Sequence, residues 1–329
     1  MKSGEKTVVQ AKEEGLTLAD LTDEERALFP GIGGELQKTL LSLINTRRRA
    51  AAREAEEKPK QAATPKTADV VWLPFWGDDK RGTPNCFLRS ALFAAIYGNA
   101  ERKYLKNALL AVQGDNSISF TGEQLSQSDL DLVMAALHLA RKHPLGHVCH
   151  FKGYAFLKMV GRSDNKDNYV WMDATITRLI ACEVKIRLGK RLFKGSILSS
   201  CTADEGNDVY KLTFDPDFVK LFGFGDWTAV DWETRKKISR SPLAQWIYDY
   251  AVSHVGSSIK LETLQRLSGR EDESLKLFMK AIRRAKELLE TRAETILTVD
   301  NDLVVISHKL SPAQARHVAH KTTPNGRKK

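Results

Sequence analysis

The chain has 329 residues, enough for two folded domains with tails, and an apolar fraction of 42%, which supports ordinary buried cores. Its 51 Lys and Arg against 41 Asp and Glu leave a net charge of +10, which favours a polyanionic partner. No apolar run reaches the roughly 20 residues of a membrane span, the N-terminus has no signal-peptide pattern, and the four cysteines lack zinc-site spacing; a cytoplasmic protein without membrane or metal is expected.

The charge is unevenly placed. Residues 1–60 hold 11 basic and 11 acidic side chains, whereas residues 303–329 hold six Lys or Arg and no carboxylate. The middle is left with a modest charge and must meet a polyanion through local patches. Residues 1–68 read as an N-terminal extension and linker, mostly disordered or helical. Within it, Glu35 to Arg53 predicts an amphipathic helix with Leu36, Leu40, Leu43 and Ile44 on one side, and Pro59 and Pro65 break the linker that follows. Gln37-Lys38-Thr39-Leu40-Leu41 is loosely similar to the glutamine–leucine motifs that dock on sliding clamps.

The folded part opens at Val70 to Trp76 with a predicted apolar strand. Thr121 to Lys142 predicts a helix, with Thr121 and Gln124 as capping box and Leu130, Val133, Met134, Leu137 and Ala140 as core stripe. Phe151 to Val160, closed by Gly161, and Asn168 to Ile180 follow as a helix pair. Strands are expected at Glu183 to Leu188, Ser196 to Ser200 and Val209 to Phe214, with an acidic turn from Thr202 to Asp208. Lys185, Arg187, Lys190, Arg191 and Lys194 lie on or beside the first hairpin, while the second helix of the pair exposes neutral or acidic groups such as Asp173 and Thr175. This unit, residues 69–224, is expected to touch phosphates rather than to read bases.

The second unit, residues 225–307, repeats the plan. Ser241-Pro242 caps a helix that buries Leu243, Trp246, Ile247 and Tyr250. Ile259 to Leu267 is a short amphipathic helix closed by Ser268-Gly269. Glu271 to Leu289 follows as a second helix, with Leu275, Phe278, Ile282, Ala285 and Leu289 on one face. Lys276, Lys280 and Arg283 form a cationic ridge on another face, with Arg284 at its flank and Arg270 and Ser274 at its start. Ile296 to Val299 and Leu303 to Ile306 flank the turn Asp300-Asn301-Asp302 as a hairpin. Helix, turn, basic helix and hairpin in that order make a winged helix, which inserts its second helix in the DNA major groove. The expected fold class is therefore α+β, with two tandem winged helices, the N-terminal extension and a basic tail at 308–329. The candidate DNA-binding set is Arg270, Ser274, Lys276, Lys280, Arg283 and Arg284 with Lys185, Arg187, Lys190, Arg191 and Lys194. Arg283 suits a bidentate contact to guanine and Arg270 a phosphate.

Several strings, in one order, carry a resemblance. They are Arg89-Ser90-Ala91-Leu92-Phe93, Phe120-Thr121-Gly122-Glu123-Gln124-Leu125, Phe156-Leu157-Lys158 with Gly161-Arg162-Ser163, Leu221-Phe222-Gly223, Ser241-Pro242-Leu243-Ala244-Gln245-Trp246, and Lys260-Leu261-Glu262-Thr263. Over roughly residues 70–306 the chain resembles the TrfA-type plasmid replication initiators. The resemblance implies binding to repeated origin sites (iterons) in double-stranded DNA, local origin opening, and recruitment of a host initiator, the replicative helicase and a sliding clamp. It also implies a homodimer in equilibrium with monomer, with the first winged helix dimerising and the second as main reader. The clamp-binding segment of some family members is not evident around Gln61 to Asp69.

No catalytic constellation or cofactor motif is legible, so an enzyme is not expected. Gly189-Lys190 lacks the upstream glycines of a phosphate loop, and His147 and His150 do not form the pair of a rolling-circle nickase. The alternative reading is a winged-helix transcriptional regulator without replisome partners.

Overall fold

The structure is a computed structural model that describes Leu21, Leu41, Ser42, Ile44 and residues 71–223, 226–254 and 258–309. The chain divides into two compact units, Met1–Asp69 and Val70–Lys329. Leu41, Ser42 and Ile44 are helical; the remainder of the expected N-terminal helix, and the basic tail from residue 310, lie outside the described residues.

Residues 71–76 belong to no sheet, in contrast to the expected strand: Leu73 and Trp76 turn inward while Trp72 and Phe75 stay in solvent. Regular structure begins with β1 (Lys80–Pro84), the short α1 (Asn85–Leu88), β2 (Phe93–Ala94), β3 (Tyr104–Leu110), β4 (Ser117–Glu123) and β5 (Leu125–Ser126). The helix expected from Thr121 starts later. Thr121 is in β4, and the cap is made by Ser126 and Asp129, whose carboxylate accepts from Ser126 N at 2.7 Å. From there α2 (Gln127–Ala140) buries Leu130, Val133, Met134, Leu137 and Ala140, the stripe its 3.6-residue period requires.

β6 (Cys149–Lys152) leads into α3 (Gly153–Met159) and α4 (Lys166–Ala181). Asn165 caps α4, accepting from Asn168 N at 3.0 Å, and Met172, Ile176 and Leu179 face the core. Next come β7 (Glu183–Leu188), β8 (Arg191–Gly195), β9 (Ser200–Asp204) and β10 (Val209–Thr213). The single strand expected at Ser196 to Ser200 is thus two strands on either side of it. β7 alternates strictly, burying Val184, Ile186 and Leu188, and pairs with β4 and β8 in a four-stranded sheet of order β3-β4-β7-β8. The hairpin after α4 therefore completes that sheet, on whose β4 the helix α4 packs, and the sheet that packs with α3 has the order β6-β10-β9.

β11 (Trp227–Asp231) returns antiparallel to β1, and α5 (Trp232–Lys237) and α6 (Pro242–Ser253) follow. Ser241 Oγ accepts from Ala244 N at 3.2 Å, with Pro242 in the first turn, as the sequence predicts. The chain closes with β12 (Ser258–Lys260), α7 (Leu261–Leu267), α8 (Leu275–Arg292), β13 (Thr295–Asp300) and β14 (Leu303–His308), the strands in the order β12-β14-β13. Helix, strand, helix, helix, strand, strand occurs twice, with the same sheet order; β7 and β8 are an insertion in the first copy. The two copies share one core. Arg235 of α5 is fully buried and pairs with Asp131 of α2 at 2.7 Å and with Asp249 of α6. Trp246 Nε1 of α6 donates to Ser90 O at 3.1 Å.

Candidate nucleic-acid interface

The second repeat positions α8 through a tight turn. Gly269 has φ +68°, a left-handed conformation that glycine adopts without strain. A Cβ there would lie 2.7 Å from that of Ala94, and Ala95 N donates to Ser268 O at 2.8 Å, so the turn is seated against the first repeat. Ser274 is the N-cap of α8, its Oγ accepting from Leu277 N at 3.4 Å. The helix thus starts at Leu275, not at Glu271, because the only hydroxyl placed to cap it is at 274.

Phe278, Ile282, Ala285 and Leu289 are buried. Leu275, expected on the same face, is 40% exposed, since it sits in the first turn before the helix meets the core. With the apolar face fixed, Lys276, Lys280 and Arg283 point to solvent on the opposite side, and Arg284 is exposed at their flank. Among the described residues none of these four cations makes an ion pair, whereas farther along the helix Lys286 lies 3.7 Å from Glu290. Leu277, 59% exposed beside the ridge, has no counterpart in the sequence reading; its position follows only once Phe278 fixes the rotation of the helix.

Arg270 is placed differently. Its Nε and Nη2 donate to the two carboxylate oxygens of Glu273 at 2.7 and 2.8 Å, and its guanidinium lies 5.6 Å from the Phe278 ring. It pins the turn to the start of α8, with its charge already matched. The hairpin β13–β14 turns at Asn301 (φ +51°) and Asp302, where the sequence places it.

In the first repeat the basic residues gather on the inserted hairpin. Lys185 and Arg187 are exposed on β7, Lys194 stands across from Lys185 on β8, and Lys190 is at the exposed turn after Gly189 (φ +56°). Their charges are not equally available. Arg191 pairs with Asp226 and donates to Lys220 O at 2.9 Å, and Lys194 lies 3.1 Å from Glu183. Lys185, Arg187 and Lys190 make no ion pair among the described residues. The outward side of α4, the topological equivalent of α8, carries Val170, Asp173, Ala174 and Thr177 instead of a ridge. Thr175, read as exposed in the sequence, is buried, and its hydroxyl lies 3.4 Å from Asp129 Oδ1.

The four cysteines are free thiols; burial pushes Cys86 up to about 12 and Cys149 up to about 11. His147 and His150 gather no third metal-ligating side chain among the described residues, and no described helix is long and apolar enough to cross a membrane.

Two crystal structures of domains 2 and 3 of RctB are similar to this chain. Each is 14% identical; one covers 68% of this chain and 96% of its own with a TM-score of 0.46, the other 66% and 92% with 0.43. No curated protein sequence matches. The model of the family described as TrfA protein matches residues 46–308, which include both repeats and the β7–β8 insertion, and the chain belongs to that family of replication initiators.

Proposed function

We propose that the chain is a plasmid replication initiator that binds iterons, promotes local opening of the origin and recruits host replication proteins. Its two repeats are winged helices, with α3–α4 and α7–α8 as helix-turn-helix pairs and β9–β10 and β13–β14 as wings. The observation that carries this reading is the ridge Lys276, Lys280 and Arg283, exposed and without ion pairs on the helix that a winged helix places in the major groove. Lys185, Arg187 and Lys190 add phosphate contacts from the first repeat, which also supplies the dimer contact in a monomer–dimer equilibrium. Arg191, Lys194 and Arg270 contribute less, because each already has a carboxylate partner. Binding energy spent on bending and untwisting DNA opens the duplex, and the host initiator, helicase and clamp are contacted through residues 1–68 and the first repeat.

The test is a transformation assay. A plasmid with the cognate repeats and no other origin is expected to replicate only where this gene is supplied, and to be lost when Lys276, Lys280 and Arg283 are all replaced by Ala. Repeat binding without any support of replication identifies a transcriptional regulator instead.

A further inference from the structure

The first repeat carries a cavity lined by none of the basic residues assigned to DNA. It lies between α3, α4 and the β9–β10 hairpin, opens to solvent, has a volume of about 620 Å³, and is lined by Tyr154, Tyr169 and Tyr210 together with Asp164, Asp173 and Asp208. Pairing of β10 with β6 brings Tyr210 opposite Phe151, whose ring stacks on it at 5.4 Å, and so beside the start of α3. Asp208 is aimed at the cavity by its turn (φ +51°) and accepts from Tyr154 N at 3.2 Å. Gly153 lets these side chains close in on the start of α3: a Cβ there would collide with Asp208, Tyr169 and Tyr210. Among the described residues no Lys or Arg lines the cavity and none of the three aspartates makes an ion pair.

Tyr169 hydrogen-bonds to Asp164 and Asp208, and one face of Tyr210 is covered by Phe151. Aromatic rings beside carboxylates that lack a cationic partner attract ammonium and guanidinium groups and repel phosphate. The chain itself supplies such groups. Residues 310–329 contain Arg316, Lys321, Arg327, Lys328 and Lys329 and no Asp or Glu. A segment of that length spans up to ~65 Å when extended, and a folded unit the size of residues 71–309 is about 45 Å across. The longest path around such a unit is about 70 Å, so the end of the tail reaches most of its surface.

We propose that the cavity of the first repeat is a docking site for the basic side chains of residues 310–329 of the same chain. Nothing in this depends on which DNA the second repeat reads.

The experiment is zero-length carbodiimide coupling of the full chain at low salt, with the joined peptides identified by mass spectrometry. Amide bonds are expected between Lys321, Lys328 or Lys329 and Asp164, Asp173 or Asp208, at a yield independent of protein concentration. Tyr154→Ala and Asp173→Asn, both at exposed positions that leave the core intact, are expected to lower that yield about tenfold by weakening a cation–π contact and an ion pair. Circular dichroism confirms that each variant is folded. Coupling of the tail lysines only to other carboxylates, or an unchanged yield in both variants, overturns the proposal. A yield that vanishes on dilution places the tail of a second copy in the cavity and overturns the intramolecular form.

Discussion

Three arginines in this protein share a chemistry and differ in fate because of the nearest carboxylate. Arg191 and Arg270 are held by Asp226 and Glu273, while Arg283 faces solvent with no described partner. Only a guanidinium with open donors can grip the O6 and N7 of a guanine, a contact worth about 1–3 kcal/mol of discrimination. Arg283→Ala is therefore expected to narrow the affinity ratio between a cognate repeat and scrambled DNA by about that amount, at matched salt, with no loss of thermal stability. An unchanged ratio would move base reading away from this residue. His138 makes a second prediction. Burial, with Arg81 and Arg141 nearby, outweighs Asp78 and a backbone hydrogen bond at Lys80 and holds its pKa down to about 4 against an ordinary 6.5. The neutral ring accepts from Trp76 Nε1 at 3.2 Å through Nδ1. The unfolded chain takes up this proton first, so stability is full above about 6.5 and falls as pH drops toward about 4. Urea denaturation across that window is expected to show a shallower slope for His138→Gln than for the parent chain.

At the scale of elements, the second repeat was largely legible in the sequence and the first was not. α8 has a single wet side, so its 3.6-residue period shows plainly, and the capping proline of α6 and the Asp-Asn-Asp turn are local signals. β6 and β12 are too short for alternation to register, and they enter their sheets only through distant partners, β10 and β14. A hairpin after α4 looks like a wing in the sequence; what decides its sheet is β4, far upstream, whose last residues, Thr121 to Glu123, fall in the predicted helix. The free basic residues could be located but not separated from the paired ones, since Asp226 and Glu183 reach their partners only through the fold. Removing the charges of Lys185, Arg187 and Lys190 is expected to weaken specific and random DNA binding alike and to lower the salt slope by about 0.9 per lost contact; a loss confined to the cognate site would contradict a phosphate role. In α8, Phe278→Ala is expected to cost about 3–5 kcal/mol of stability. Gly269→Ala combines a strained φ with the Ala94 contact and is expected to destabilise by about 2 kcal/mol. Both are read from chemical denaturation midpoints.

Across the whole molecule the two repeats are held together at a buried charge cluster. Arg235, at 0% exposure, joins Asp131 of the first repeat to Asp249 of the second, and its Nη2 also donates to Gln127 O and Oε1 at 3.2 and 3.1 Å. The attraction of the two carboxylates outweighs burial and raises the Arg235 pKa, so the guanidinium stays charged. Such a cluster is costly to desolvate but far costlier to break. Arg235→Ala strands Asp249 without a cation in the shared core and is expected to cost about 3–5 kcal/mol. Asp131 is partly exposed and can regain water, so most of that cost falls on Asp249. Replacing both Arg235 by Met and Asp249 by Leu removes the stranded charge and fills the space, and is expected to recover most of the loss. Because the repeats share this core, each variant is expected to unfold in one cooperative transition in urea. A double variant no more stable than Arg235→Ala would show that packing around the guanidinium, not the uncompensated carboxylate, holds the repeats together. Two separate transitions in the single variant would show instead that each repeat folds on its own once the cluster is cut.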